Sequence, residues 1–116
     1  MKEDIAEQWC KKLRSDEYEQ GKGQLRKGDE FCCLGVLCDL AVKAGLGEWN
    51  KGTYRHTAGE CAGDFGDAGL VLGVQQWSGI QTYYGQVGDN NLTGMNDDGV
   101  GFPEIADFIE ANVKEL

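Results

Sequence analysis

The sequence predicts an α+β fold of three main helices, about residues 4–15, 32–44 and 103–114, packed with short antiparallel hairpins. Three observations predict it. Apolar residues recur at helical spacing near both ends, and one long apolar run lies in the first half of the chain. Between the run and the last helix stands a Gly- and Asp-rich stretch carrying paired extended pieces. At 116 residues with 41% hydrophobic, the chain fits a single domain, 1–116, with one core.

Ile5, Trp9 and Leu13 recur at i, i+4 and i+8 with Glu7, Lys11 and Lys12 elsewhere around the wheel. That pattern predicts the first helix, opened by Asp4 and ended at Ser15-Asp16. Gln24–Arg26 and Glu30–Cys32 form a predicted hairpin closed at Lys27-Gly28-Asp29. Residues 31–44 are the most apolar stretch, interrupted only by Asp39 and Lys43 at i, i+4. A helix apolar nearly all round is the buried central one. Gly45 is its C-terminal stop, and Gly35 inside it is explained by close backbone packing.

Glu48–Arg55 predicts a second hairpin with Asn50-Lys-Gly52 at its tip. Residues 56–69 read as loop, and Leu70–Trp77 as a short helix or strand. Ile80–Val87 has weak β character, and 88–101 reads as loop again. Phe102, Ile105, Ala106, Ile109 and Val113 mark the buried face of the last helix, with Pro103 in its first turn.

Twenty acidic against eleven basic residues give a net charge of −9. Such a surface repels phosphate backbones and anionic membranes, so direct nucleic-acid and membrane partners are not expected. No run reaches the ~18 apolar residues of a membrane span, and the Met-Lys-Glu-Asp start does not resemble a signal peptide. Five cysteines without framework spacing predict free thiols and a cytoplasmic setting.

The chemical motifs are weak. Cys32, Cys33 and Cys38 lack Cys-x-x-Cys spacing and lie in an apolar helix, which predicts core thiols and no metal site. His56 and Cys61 together offer a two-ligand or dyad hint without an orienting group. Asp89-Asn-Asn-Leu-Thr-Gly94 opens like a calcium loop, but Val100 stands where position 12 needs a bidentate Glu. Gly21-Lys-Gly23 is too short for a phosphate loop, so no cofactor is expected. What remains is a recognition inventory in and beside loops, including Trp49, Tyr54, Tyr83 and Tyr84. The expected ligand-binding set is Tyr18, Gln20, Arg26, Trp77, Asn96 and Asp97, with no catalytic residue assigned.

Three segments occur in a telling order: Leu13-Arg-Ser-Asp-Glu-Tyr-Glu-Gln-Gly-Lys-Gly-Gln-Leu25, Phe31-Cys-Cys-Leu-Gly-Val-Leu-Cys-Asp-Leu-Ala41, and Asn96-Asp-Asp-Gly with Phe102-Pro-Glu-Ile-Ala-Asp-Phe-Ile-Glu110. They resemble a family of small phage and prophage proteins carrying LRSGxYxQGxGxL, CCLGVLC and LND-G-SFxEIA segments. Trp77-Ser-Gly79 is similar to an intervening W-x-G element. Asp16, Met95 and Gly101 depart from the pattern, where the family has Gly, Leu and Ser. The resemblance implies a phage-type accessory protein in the host cytoplasm, acting by binding. Its expected role is counter-defence, by sequestering a small nucleotide-like signal or occluding a host protein. An acidic DNA mimic and a small carboxylate-dependent enzyme stand as the alternatives, with binding ahead of catalysis.

Overall fold

The computed structural model describes residues 1–116 and has the mixed α+β architecture that the sequence predicts. Helix α1 (Glu3–Leu13) buries Ile5, Ala6, Trp9, Cys10 and Leu13 along one stripe. Glu3 and Asp4 sit in its first turn and Lys11 and Lys12 in its last, each complementing the helix dipole. It ends two residues earlier than expected, and Asp16 then turns the chain with φ 63°.

Helix α2 (Cys33–Lys43) is the central element, with every residue from Cys33 to Cys38 buried. Cys32 lies outside it as the N-cap, its sulfur accepting from Gly35 N at 3.4 Å. The C-terminus closes with paired bonds, Leu46 N to Ala41 O at 2.9 Å and Gly45 N to Val42 O at 3.0 Å. Gly45 at φ 81° supplies the left-handed residue this closure needs. The Trp9 indole donates to Cys33 O at 2.9 Å and so pins α1 to the start of α2.

Two three-stranded sheets and one hairpin surround the helices. Strands β2 (Arg26–Lys27) and β3 (Glu30–Phe31) form the first expected hairpin, and β4 (Gly47–Asn50) and β5 (Thr53–His56) the second. Two pairings differ from the expectation. Strand β1 (Glu19–Gln20) runs parallel to β3, and β6 (Phe65–Gly66) adds to β5 from within the predicted 56–69 loop, after a 3-10 turn at Gly59–Cys61. Two-residue strands carry too little alternation to be visible in sequence.

Helix α3 (Leu72–Ser78) resolves the helix-or-strand ambiguity of 70–77, and Gly79 ends it in the left-handed region. Of 80–87, only β7 (Gln86–Val87) is extended, paired with β8 (Asn90–Asn91). The predicted 88–101 loop instead holds β8 and a short helix, α4 (Leu92–Asp97). Asn91 is the N-cap of that helix, accepting from Gly94 N at 2.6 Å. The oxygens that resemble the start of a calcium loop are in part a capping signal.

Helix α5 (Phe102–Ala111) stops three residues short of expectation. The Asn112 side chain donates to Phe108 O at 2.8 Å, competing for the backbone at the helix end. Both chain ends are held at neighbouring points: Lys2 N donates to Ser78 O, and Gln81 N to Leu116 O, each at 2.8 Å. One core of 26 buried residues unites α1, α2, α5 and the inner faces of the sheets. No helix is long and apolar enough to cross a membrane.

Candidate functional site

The residues expected to bind a ligand lie in three separate places. The first is an amide cluster beneath the loop that follows β1. Asn96 is fully buried, and its Oδ1 accepts from Gln20 Nε2 at 2.9 Å and from Cys33 N at 3.1 Å. Its Nδ2 donates to Gly21 O at 2.7 Å. Gln20 continues outward, donating to Val100 O at 2.7 Å and accepting from Phe102 N at 3.1 Å. Asp97 Oδ1 takes the Gly23 N–H at 3.0 Å. These side chains satisfy the first N–H of α2 and of α5, groups that no helix satisfies internally. Their hydrogen-bonding capacity goes into joining three parts of the chain.

The second place is an aromatic wall. Tyr18 stands edge-on to Phe31 at 5.0 Å, Phe31 to Trp49 at 5.9 Å, and Trp49 to Tyr54 at 5.9 Å. The Arg26 guanidinium lies over both Phe31 and Trp49, at 5.0 and 5.5 Å from their centroids. Behind the wall is Asp39. Its Oδ1 accepts from Trp49 Nε1 at 3.0 Å, and its Oδ2 accepts from Tyr18 OH and faces Lys43 Nζ at 3.4 Å.

Burial alone pushes the Asp39 carboxyl up, but the hydrogen bonds from Tyr18 and Trp49 and the Lys43 charge outweigh it and hold the group below its usual 3.8. The depressed value means that Asp39 stabilises the fold above its unfolded pKa and ceases to as pH falls through the folded one. Asp39→Asn should therefore cost about 1.5–3 kcal/mol near neutral pH, the range for hydrogen bonds to a charged group. The difference from the parent should shrink below about pH 4. Urea unfolding of both proteins at pH 7 and pH 3 measures this, and an equal gap at both would refute it.

The third place surrounds β6 and α3; of the expected set only Trp77 lies there, half-buried on the face of α3 opposite the groove described next. Here the large apolar side chains are outside: Phe65 is 73% exposed, Leu72 53%, and Tyr83 and Tyr84 43% each. Phe65, Leu72 and Tyr83 line one groove of about 390 Å³ with Asp64 on its rim and no lysine or arginine in its lining. Tyr84 stacks edge-on to Tyr83 at 4.7 Å. The backbone adds to the surface. His56 N donates to Asp64 O at 2.7 Å, so Arg55 and Phe65 oppose each other as a non-hydrogen-bonded pair. The Phe65 N–H and C=O consequently point away from β5, along the open edge of the sheet.

Tyr83 and Tyr84 belong to the recognition inventory of the sequence, whereas Phe65 and Leu72 do not. A lone phenylalanine inside a Gly- and Asp-rich loop was the available signal. The cysteines divide cleanly. Cys10, Cys32, Cys33 and Cys38 are buried, with burial pushing Cys10 up to about 11, and only Cys61 is partly accessible.

Comparison with curated proteins and with solved structures finds no match. A family model does match, over residues 1–113, and its description is a domain of unknown function, DUF8296. That span takes in the amide cluster, the aromatic wall and the exposed groove together, and the chain belongs to the DUF8296 family.

Proposed function

We propose that this protein acts by binding and occluding a partner protein, through the open edge of β6 and the groove beside it. The observation that carries the proposal is the exposed group Phe65, Leu72, Tyr83 and Tyr84 on a chain whose remaining large apolar side chains are buried or half-buried. The occupant that fits is an extended segment with an apolar side chain flanked by basic ones. It would pair with the outward N–H and C=O of Phe65 and seat its apolar side chain in the groove. The lining holds Asp64 and no cation, and the chain carries −9 overall, so basic flanks are favoured.

The resemblance to small phage and prophage proteins supports a host protein as the partner and counter-defence as the setting. Sequestration of a nucleotide-like signal has less support, because Gln20, Asn96 and Asp97 are engaged in internal hydrogen bonds.

A photo-crosslinking amino acid at position 83, with position 8 on α1 as control, tests the proposal in bacterial cells. One discrete heterologous adduct is expected from 83 and none from 8. The protein identified from it should rebind the purified chain, weaken with salt, and lose at least about tenfold affinity (1.4 kcal/mol) on Phe65→Asp. Identical adducts from both positions, an adduct of twice the chain's mass, or salt-insensitive rebinding would overturn the proposal.

A further inference from the structure

On the other face of α3 a smaller concavity of about 310 Å³ opens between the end of β5, the 3-10 turn and the helix. Leu46, His56, Glu60, Cys61, Gln76 and Trp77 line it. His56, the single histidine of the chain, is only 4% exposed. Its ring lies flat against Gly73 at the start of α3, where an added Cβ would meet Cγ and Nε2 at 2.5 Å. Only glycine there lets the imidazole reach the pocket wall.

The protonation pattern of the ring follows from its neighbour. Tyr54 is fully buried, and its hydroxyl has one partner, His56 Nδ1 at 2.8 Å. A buried hydroxyl that donates to nothing loses about 1–3 kcal/mol, so the phenol proton goes to Nδ1. Burial also pushes the ionisation of Tyr54 well up, which keeps that proton in place. A neutral imidazole accepting at Nδ1 carries its hydrogen on Nε2. Nε2 has no partner within the protein. An imidazole held in this way offers the pocket a donor, not a base, which argues against a Cys61–His56 nucleophilic dyad.

We propose that this pocket binds a small, neutral, planar amide. Its carbonyl accepts from His56 Nε2–H and its ring lies against Trp77 and Leu46. The amide hydrogens meet Gln76 Oε1, which now takes only a weak thiol bond from Cys61 at 3.5 Å. Charge narrows the class. Glu60 and the absence of any lysine or arginine in the lining oppose an anion, and the Nε2–H donor needs an acceptor lone pair that an ammonium or amidinium lacks. The volume is near the lower bound of ~300 Å³ for ligand sites, which suits a single ring. This site is distinct from the partner-binding groove and does not depend on it.

Two measurements on the wild-type chain test the proposal, with benzamide and benzoate as probes. Long-range ¹⁵N–¹H spectra of the one imidazole should show the Nε2–H tautomer before any probe is added, and the Nδ1–H tautomer would overturn the assignment. Benzamide should then shift Nε2 saturably and protect Cys61 from iodoacetamide. At about twice its Kd the alkylation rate should fall about threefold, the factor 1 + [L]/Kd. Benzoate should do neither at the same concentration. Equal response to both probes, or no response to benzamide up to about 10 mM, refutes the site. His56→Phe should abolish the protection while leaving Cys61 reactive. Should that variant not fold, the tautomer and the benzamide–benzoate contrast decide the matter alone.

Discussion

Gly35→Ala is expected to destabilise the protein by about 2–4 kcal/mol, a large share of the ~5–15 kcal/mol that holds a typical domain together. Helix propensity predicts the opposite sign. Alanine is better than glycine in a helix interior by up to about 1 kcal/mol. The difference lies in what passes over the third residue of α2. An added Cβ would run into the carbonyl oxygen of Leu25 and come within 2.7 Å of its carbonyl carbon. Leu25 cannot retreat easily. It is fully buried, its N–H is held by Asp67 O at 2.6 Å, and its carbonyl accepts from Cys32 N at 3.1 Å. Overpacking against a fixed backbone costs more than the propensity gain returns. Urea unfolding of parent and variant reads the result directly. A stabilised variant would show that the segment before β2 can move aside, and would refute this account of the crossing.

The same crossing marks the boundary between what the sequence revealed and what it concealed. The helices were legible because their signals are local. Ile5, Trp9 and Leu13 define a stripe without reference to any other segment, and Gly45 marks an end by its position alone. Gly35 was legible as a site of close packing, but not the identity of Leu25 as the neighbour. Strand β6 and helix α4 were missed for a related reason. Asn91 is chemically suited both to cap a helix and to ligate a cation, and only the backbone of α4 decides between them. The polar residues singled out as ligand-binding show the problem in its sharpest form. Gln20 and Asn96 were expected to bind a ligand, yet they bond to each other across 76 residues of chain. Composition cannot distinguish an amide that waits for a ligand from one already satisfied within the fold. The exposed groove was hidden in turn because Phe65 and Leu72, taken singly, resemble ordinary core residues.

Asn96→Ala is expected to cost about 3–5 kcal/mol, because it strands two backbone groups in the interior. Cys33 N, the first N–H of α2, loses its acceptor, and Gly21 O loses its donor. Each unsatisfied buried group costs about 1–3 kcal/mol, and the vacated volume adds to that. Gln20 suffers less, since it keeps its bond to Val100 O. A contrasting substitution separates hydrogen bonding from volume. Asn96→Asp preserves the shape and the Oδ1 acceptor but turns the donor toward Gly21 O into a second acceptor, with Asp97 Oδ1 also 3.4 Å away. The new carboxyl is favoured in its protonated form by the fold, so its folded pKa stands above the unfolded value of about 3.9. Its destabilisation is then complete at high pH and recovers as pH falls through the folded pKa, because the protonated acid can again donate to Gly21 O. The alanine variant carries no such titration. Unfolding free energies of both variants between pH 7 and pH 4 should thus approach each other from the aspartate side only. Parallel pH profiles would mean that the donor to Gly21 O contributes nothing, and that Asn96 holds the β1 loop to α2 and α5 through its Oδ1 acceptor and packing.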